Sequence, residues 1–81
     1  MSEENEDQRA LTLGEMRVAR NFNPEANQAV EGFKSRYAVL IDELEEMRDL
    51  DNPRSEKNRT ISRAQTHAED ACMLSVKSIF Q

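Results

Sequence analysis

One cysteine, one histidine, two glycines, two prolines and no tryptophan occur among the 81 residues of this chain. Cys72 alone leaves no internal disulfide. With no CxxC or HxxxH pair and a single imidazole, at His67, a structural zinc site has no ligand set. Gly14 and Gly32 are too far apart to form a phosphate-cradling loop, and no Ser/His/acid or Cys/His spacing marks a nucleophile. No apolar run approaches the ~20 residues that span a bilayer, and no basic-then-apolar leader opens the sequence. The expectation is a soluble, cytoplasmic chain without metal, cofactor or membrane partner.

Apolar residues make up 37% of the chain and aromatic residues 5%, so one domain with a thin core is the most this length supports. Domains this short bury only about 60% of their unfolded surface and, lacking disulfide or metal, often gain the rest by oligomerising. The formal net charge of −5 argues against a nucleic-acid polymer as partner, because such binding draws most of its free energy from phosphate neutralisation. The charge is nevertheless segregated. Acids crowd residues 1–16 and 42–51, while Arg17, Arg20, Lys34 and Arg36 form one basic patch and Arg54, Lys57, Arg59 and Arg63 another. Small basic patches on an acidic chain suit a small anionic ligand.

What the sequence does contain is helical periodicity. Ala26, Val30, Phe33, Tyr37, Leu40, Leu44 and Met47 step 4-3-4-3-4-3 along Pro24 to Arg48, a heptad-type seam that calls for a partner helix. Asn23 is placed to cap this helix, Pro24 to open it and Phe22 to staple its first turn. Ahead of it, residues 1–21 read as an N-terminal arm or short helix, with a break at Gly14. The lead-in sets Arg17 and Arg20 beside a helix N-terminus, where anions are already favoured.

Pro53 disfavours helix at Asn52 and ends the long rod, and Ser55 caps a second helix reaching about Phe80. Two long helices, about 24–49 and 55–80, joined by a short turn make an antiparallel hairpin over residues 22–81, an all-α fold. In the second helix Ala64, Ala68, Ala71, Ser75 and Ser78 repeat the 4-3-4-3 step with small side chains, and Cys72 to Phe80 is apolar around most of its circumference. One partner helix cannot cover that surface, so assembly into a homo-oligomer is expected.

Only one constellation resembles catalytic chemistry. Glu43 and Glu46 match the first half of the paired acidic motifs with which all-α pyrophosphohydrolases bind magnesium. The second half is missing, because Cys72 and Met73 follow Glu69-Asp70 where an acid should fall. A solvated acidic face is the plainer reading, and the chain is not expected to be an enzyme. On the second helix Arg59, Arg63, Thr66 and His67 share a face whose donors suit phosphate oxygens.

Taken in order, Thr12-Leu13-Gly14-Glu15, Arg17-Val18, Phe22-Asn23-Pro24 with Asn27, Val30 and Lys34, and Leu40-Ile41-Asp42 resemble the small phage proteins that defeat CBASS immunity. Arg59, Ala64-Gln65-Thr66, Glu69-Asp70-Ala71, Met73 and Val76-Lys77 are similar to that family's later helix. The resemblance spans about residues 10–79. It implies a compact hexamer of helical hairpins, acting in the host cytoplasm during infection, that sequesters cyclic dinucleotides, and in some members cyclic trinucleotides, without turnover.

The family holds its dinucleotide between subunits with a Tyr ahead of the first long helix and a Lys inside it. Lys34 matches the Lys. The Tyr has no counterpart, since the lead-in reads Ala19-Arg20-Asn21-Phe22. Phe22, or Arg20 through its guanidinium plane, offers the stacking surface there, with Arg17 and Asn21 alongside. A trinucleotide pocket would draw on Arg59 or Arg63 with Thr66 and His67. Phage anti-Thoeris sponges, which take a cyclic ADP-ribose relative, share the hairpin but add a β-rich part for which this chain has no room. The other readings are a helical adaptor working through the apolar surface of residues 72–80, a sponge for a cyclic ADP-ribose-type signal, and a magnesium-dependent nucleotide hydrolase.

Overall fold

A computed structural model describes residues 10–20, 22–23 and 25–81. These form three α-helices and no strand: α1 (Leu13–Arg17), α2 (Gln28–Glu46) and α3 (Glu56–Ile79). The chain is all-α, as the periodicity predicts. The acidic arm at residues 1–9, the ligand candidate Asn21 and the helix-opening role given to Pro24 lie outside the described residues.

Helix α1 starts with a reciprocal capping box. The Thr12 hydroxyl accepts from Glu15 N–H at 3.0 Å, and Thr12 N–H donates to the Glu15 carboxylate at 2.9 Å. Gly14 does not break the chain; it is buried within α1. A Cβ there would stand 2.0 Å from the Ala38 carbonyl oxygen, so the glycine is what lets α1 lie against α2. The contact is fastened by Gly14 N–H, which donates to Asp42 at 2.7 Å.

Helix α2 begins later than its sequence signals indicate. Asn27, not Asn23, is the N-cap, accepting from Ala29 and Val30 N–H at 2.9 and 3.1 Å. Asn23 instead grips Asn27, donating to its carbonyl at 3.0 Å and accepting from its N–H at 3.1 Å. Ala26, with φ 50, reverses the chain just before the cap. Phe22 does not staple the first turn, for it is 68% exposed. The helix ends at Glu46 rather than near Arg48–Leu50.

Helices α2 and α3 run antiparallel. Gln65 donates to the Ile41 carbonyl at 3.1 Å and to Glu45 at 3.0 Å, while nearer the turn Arg48 reaches Ser62 at 2.8 Å and the Asn58 carbonyl at 3.3 Å. Arg48 and Gln65 together hold the Glu45 carboxyl below its ordinary range. Asn58, buried in the first turn of α3, donates to the carbonyls of Asp49, Asn52 and Pro53 and accepts from Asp49 N–H at 2.8 Å. It ties down a turn whose own residues are mostly exposed. Ser55 caps α3 as its sequence predicts, accepting from Asn58 N–H at 3.0 Å.

The core is small: Val18, Ala38, Ile41, Ala68 and Cys72, with Leu13, Tyr37 and Val76 packed against it. On α2 the buried stripe is Val30, Lys34, Ala38 and Ile41. The predicted seam is not that stripe. At 100° per residue its remaining members lie about 90° around the helix, and Leu40 and Met47 are 44% and 54% exposed. Asp42, which meets α1, and Ser35 and Glu31, which meet Arg20 in the loop after it, lie on the opposite flank. On α3 the buried stripe is Asn58, Ile61, Gln65, Ala68 and Cys72, and Glu69, which meets Arg17 of α1, lies to one side of it. The small residues Ala64, Ala71, Ser75 and Ser78 lie to the other side. Helix α1 and the loop after it therefore lie against one side of the hairpin, and both predicted stripes border the other side. Ala68 is the exception, since it belongs to the intrachain core.

Candidate functional site

The loop between α1 and α2 is built around one buried cation. Lys34 is 7% exposed, and its ammonium donates to the carbonyls of Ala19 at 3.0 Å and Phe22 at 2.8 Å. Ala19 has φ 54, a left-handed conformation that costs a non-glycine residue about 1–2 kcal/mol. The Lys34 bonds hold the loop in that shape, because a bond to a charged donor is worth roughly 1.5–3 kcal/mol. The ammonium also lies 5.6 Å from the centroid of the Phe22 ring, within cation–π range.

Beside Lys34 is a cavity of about 280 Å³ lined by Phe22, Asn23, Glu25, Val30, Lys34, Val76 and Phe80. Three parts of the chain meet there: the loop before α2, the first turns of α2 and the last turns of α3. Of the five residues that sequence reasoning groups around the anion, this cavity holds Phe22 and Lys34. Arg20 points elsewhere, donating to Ser35 at 3.1 Å and pairing with Glu31, and it lines a separate depression with Glu15 and Asp42. Arg17 is bound to Glu69 through two nitrogens, at 3.0 and 2.7 Å, and reaches Thr66 at 3.4 Å. The charges of Arg17 and Arg20 are thus largely neutralised within the chain.

Asn23, Glu25, Val30, Val76 and Phe80, which complete the lining, are not among the sequence candidates for this site. Phe80 is legible in sequence only as part of an apolar helix end, and no local spacing links it to a loop at residue 22. The two meet because α3 returns antiparallel to α2 and brings its last turn to the start of α2.

The second set of candidates does come together. Arg59, Arg63, Thr66 and His67, with Ser62, line a groove of about 280 Å³ along the outer face of α3. Arg59 pairs with Glu56 at 3.2 Å across an exposed turn, and among the described residues no hydrogen bond or ion pair engages Arg63 or His67. Arg59 also lines a neighbouring depression with Arg48, Arg54 and Asn58. The row is cationic and open to solvent, with no buried polar group to give it shape.

Glu43 and Glu46, the acids of the half-motif, are exposed on α2. Among the described residues no group of three His, Cys, Asp or Glu side chains is placed to hold a metal ion, and no helix is long and apolar enough to cross a membrane. Cys72 is buried against the core, and burial pushes its thiol above the usual range, which makes it a poor nucleophile. The class that fold and site define is a small all-α chain with a loop-bounded cavity holding an aromatic ring and a buried ammonium. Comparison with family models, with curated proteins and with solved structures finds no match to this chain.

Proposed function

We propose that the protein is a nucleotide sponge that binds a cyclic di- or trinucleotide of a host CBASS defence and withholds it from its receptor without cleaving it. The reading joins the phage-protein resemblance to one observation, the cavity in which an exposed aromatic ring and a buried ammonium are neighbours. A cyclic dinucleotide carries flat bases and phosphates and needs both. Its size is also informative. Pockets that enclose a drug-sized ligand measure about 300–1,000 Å³, so a cavity of about 280 Å³ takes one base with its phosphate and leaves the rest of the ring to another surface.

That other surface is supplied by a second copy. The face of the hairpin away from α1 presents half-buried Phe33, Tyr37 and Leu44 with exposed Leu40 and Met47 beside the small side chains of Ala64, Ala71 and Ser75. Large residues on one helix and small ones on its neighbour let a partner hairpin approach closely. The groove of Arg59, Arg63, Thr66 and His67 is the place for a separate trinucleotide contact.

Sedimentation should return a species several times the 9.3 kDa chain. The Leu40→Lys, Ala71→Lys double variant should dissociate with its helical content intact, since neither residue belongs to the buried core. A parent that sediments as a monomer at micromolar concentration refutes the assembly. The sponge itself is tested by calorimetric titration with a panel of cyclic di- and trinucleotides, followed by denaturation and chromatography of the released ligand. At least one member should bind and return intact; no binding, or recovery as linear products, overturns the reading.

A further inference from the structure

The cavity beside Lys34 has a second aromatic wall. Phe80 at the end of α3 and Phe22 in the loop before α2 both line it, and they remain 62% and 68% exposed. A single exposed phenylalanine needs no explanation, but two bordering one cavity over a buried cation leave a slot suited to a flat ring.

The polar groups of the slot can be counted. Asn23 spends both ends of its amide on Asn27. Lys34 spends two of its three N–H donors on Ala19 and Phe22, leaving one. Glu25 is exposed, and among the described residues no hydrogen bond or ion pair engages its carboxylate. The slot therefore offers two aromatic side chains, one ammonium N–H and one uncommitted carboxylate.

A carboxylate only accepts, so the base it selects must present adjacent donors. Guanine does so through N1–H and the N2 amino group, and beside them O6 is an acceptor for an ammonium. Adenine offers one donor next to an acceptor, as does cytosine, and uracil sets its one N–H between two carbonyls; each would place a lone pair against Glu25. We infer that this cavity is a guanine subsite, with the base stacked between Phe22 and Phe80, N1–H and N2 bonded to Glu25, and Lys34 donating to O6 or a neighbouring phosphate oxygen. The inference deepens the sponge reading and rests on it for the identity of the whole ligand. The choice of base rests on the cavity alone.

The test measures affinities of parent, Phe80→Ala and Glu25→Gln for cyclic di-GMP, cyclic di-AMP, GMP and AMP, with helical content followed by circular dichroism. The parent should prefer cyclic di-GMP by at least about tenfold. Glu25→Gln should erase the preference, weakening cyclic di-GMP and lifting the lone-pair repulsion that Glu25 sets against adenine. Phe80→Ala should weaken both cyclic ligands by about tenfold or more, the usual loss for removing a stacking ring. Equal affinity of the parent for the two cyclic ligands overturns the guanine assignment, and an inert Phe80→Ala overturns the stacking. Cyclic dinucleotides that bind with no base preference leave the sponge standing and remove the subsite. GMP that perturbs the Phe22 and Phe80 ring resonances where AMP does not, while no cyclic di- or trinucleotide of the calorimetric panel binds, leaves the subsite standing and removes the sponge. If none of the four nucleotides binds, the guanine subsite is wrong.

Discussion

Alanine at position 14 is expected to release α1 from the hairpin. The added Cβ would lie 2.0 Å from the Ala38 carbonyl oxygen and 2.8 and 2.9 Å from its carbonyl carbon and Cα. All three are backbone atoms of a long helix, so no flexible side chain can yield. Overpacking of this kind costs about 1–3 kcal/mol and sometimes more. Separation of the helices also breaks the Gly14–Asp42 hydrogen bond and lifts Val18 out of a core with few members. Five residues cannot hold a helix unaided. Hydrogen exchange should therefore show amides 13–20 losing protection in Gly14→Ala, while the amides around Ile61 to Cys72 keep theirs. Unchanged protection in α1 would show that the close approach carries no weight.

Replacing Lys34 by methionine should have two separable effects. Methionine keeps much of the volume and suits the burial but leaves the Ala19 and Phe22 carbonyls without their donor, so the loop before α2 loses the clamp that sustains its left-handed residue. Affinity for an anionic nucleotide should fall about ten- to hundredfold, the value of one charge-assisted contact, with the overall helical content preserved. Ala19→Gly relieves the backbone strain without touching the cation, and in the Lys34→Met background it should restore loop order but not affinity. That pair of measurements separates the two roles of the ammonium. A Lys34→Met protein that binds every cyclic nucleotide as well as the parent does would remove Lys34 from the site.

The double role of Lys34 also shows where a local reading stops. Its neighbours in sequence are Phe33 and Ser35, and nothing there announces that its ammonium spans a loop to residues 19 and 22. Arg17 and Arg20 show the converse. In sequence they form a basic patch at a helix start, yet Glu69 and Glu31 arrive from elsewhere and take up their charge. Ion pairing depends on distance in space, and between residues this far apart in the chain that distance is a property of the packed helices. Among the ligand candidates Arg59, Arg63, Thr66 and His67 do lie along one groove, because they share a single helix and its periodicity orders them.

The sequence by itself determined the all-α class, the antiparallel hairpin, the Ser55 cap and the two stripes on its long helices, since each follows from local spacing, capping chemistry or turn residues. Only the tertiary structure decided which stripe is buried. Leu40 and Met47 are better core residues by hydrophobicity than Ala38 or Lys34, but the small Ala38 is what permits α1 to close on α2, and Lys34 is buried where it clamps the loop. The same close approach demands glycine at position 14 and places α1 on one face, leaving the heptad seam on the other. The antiparallel return of α3 brings Phe80 to the cavity that Phe22 lines. A stripe pattern states that a face is apolar; which partner covers it is settled by the shapes that meet there.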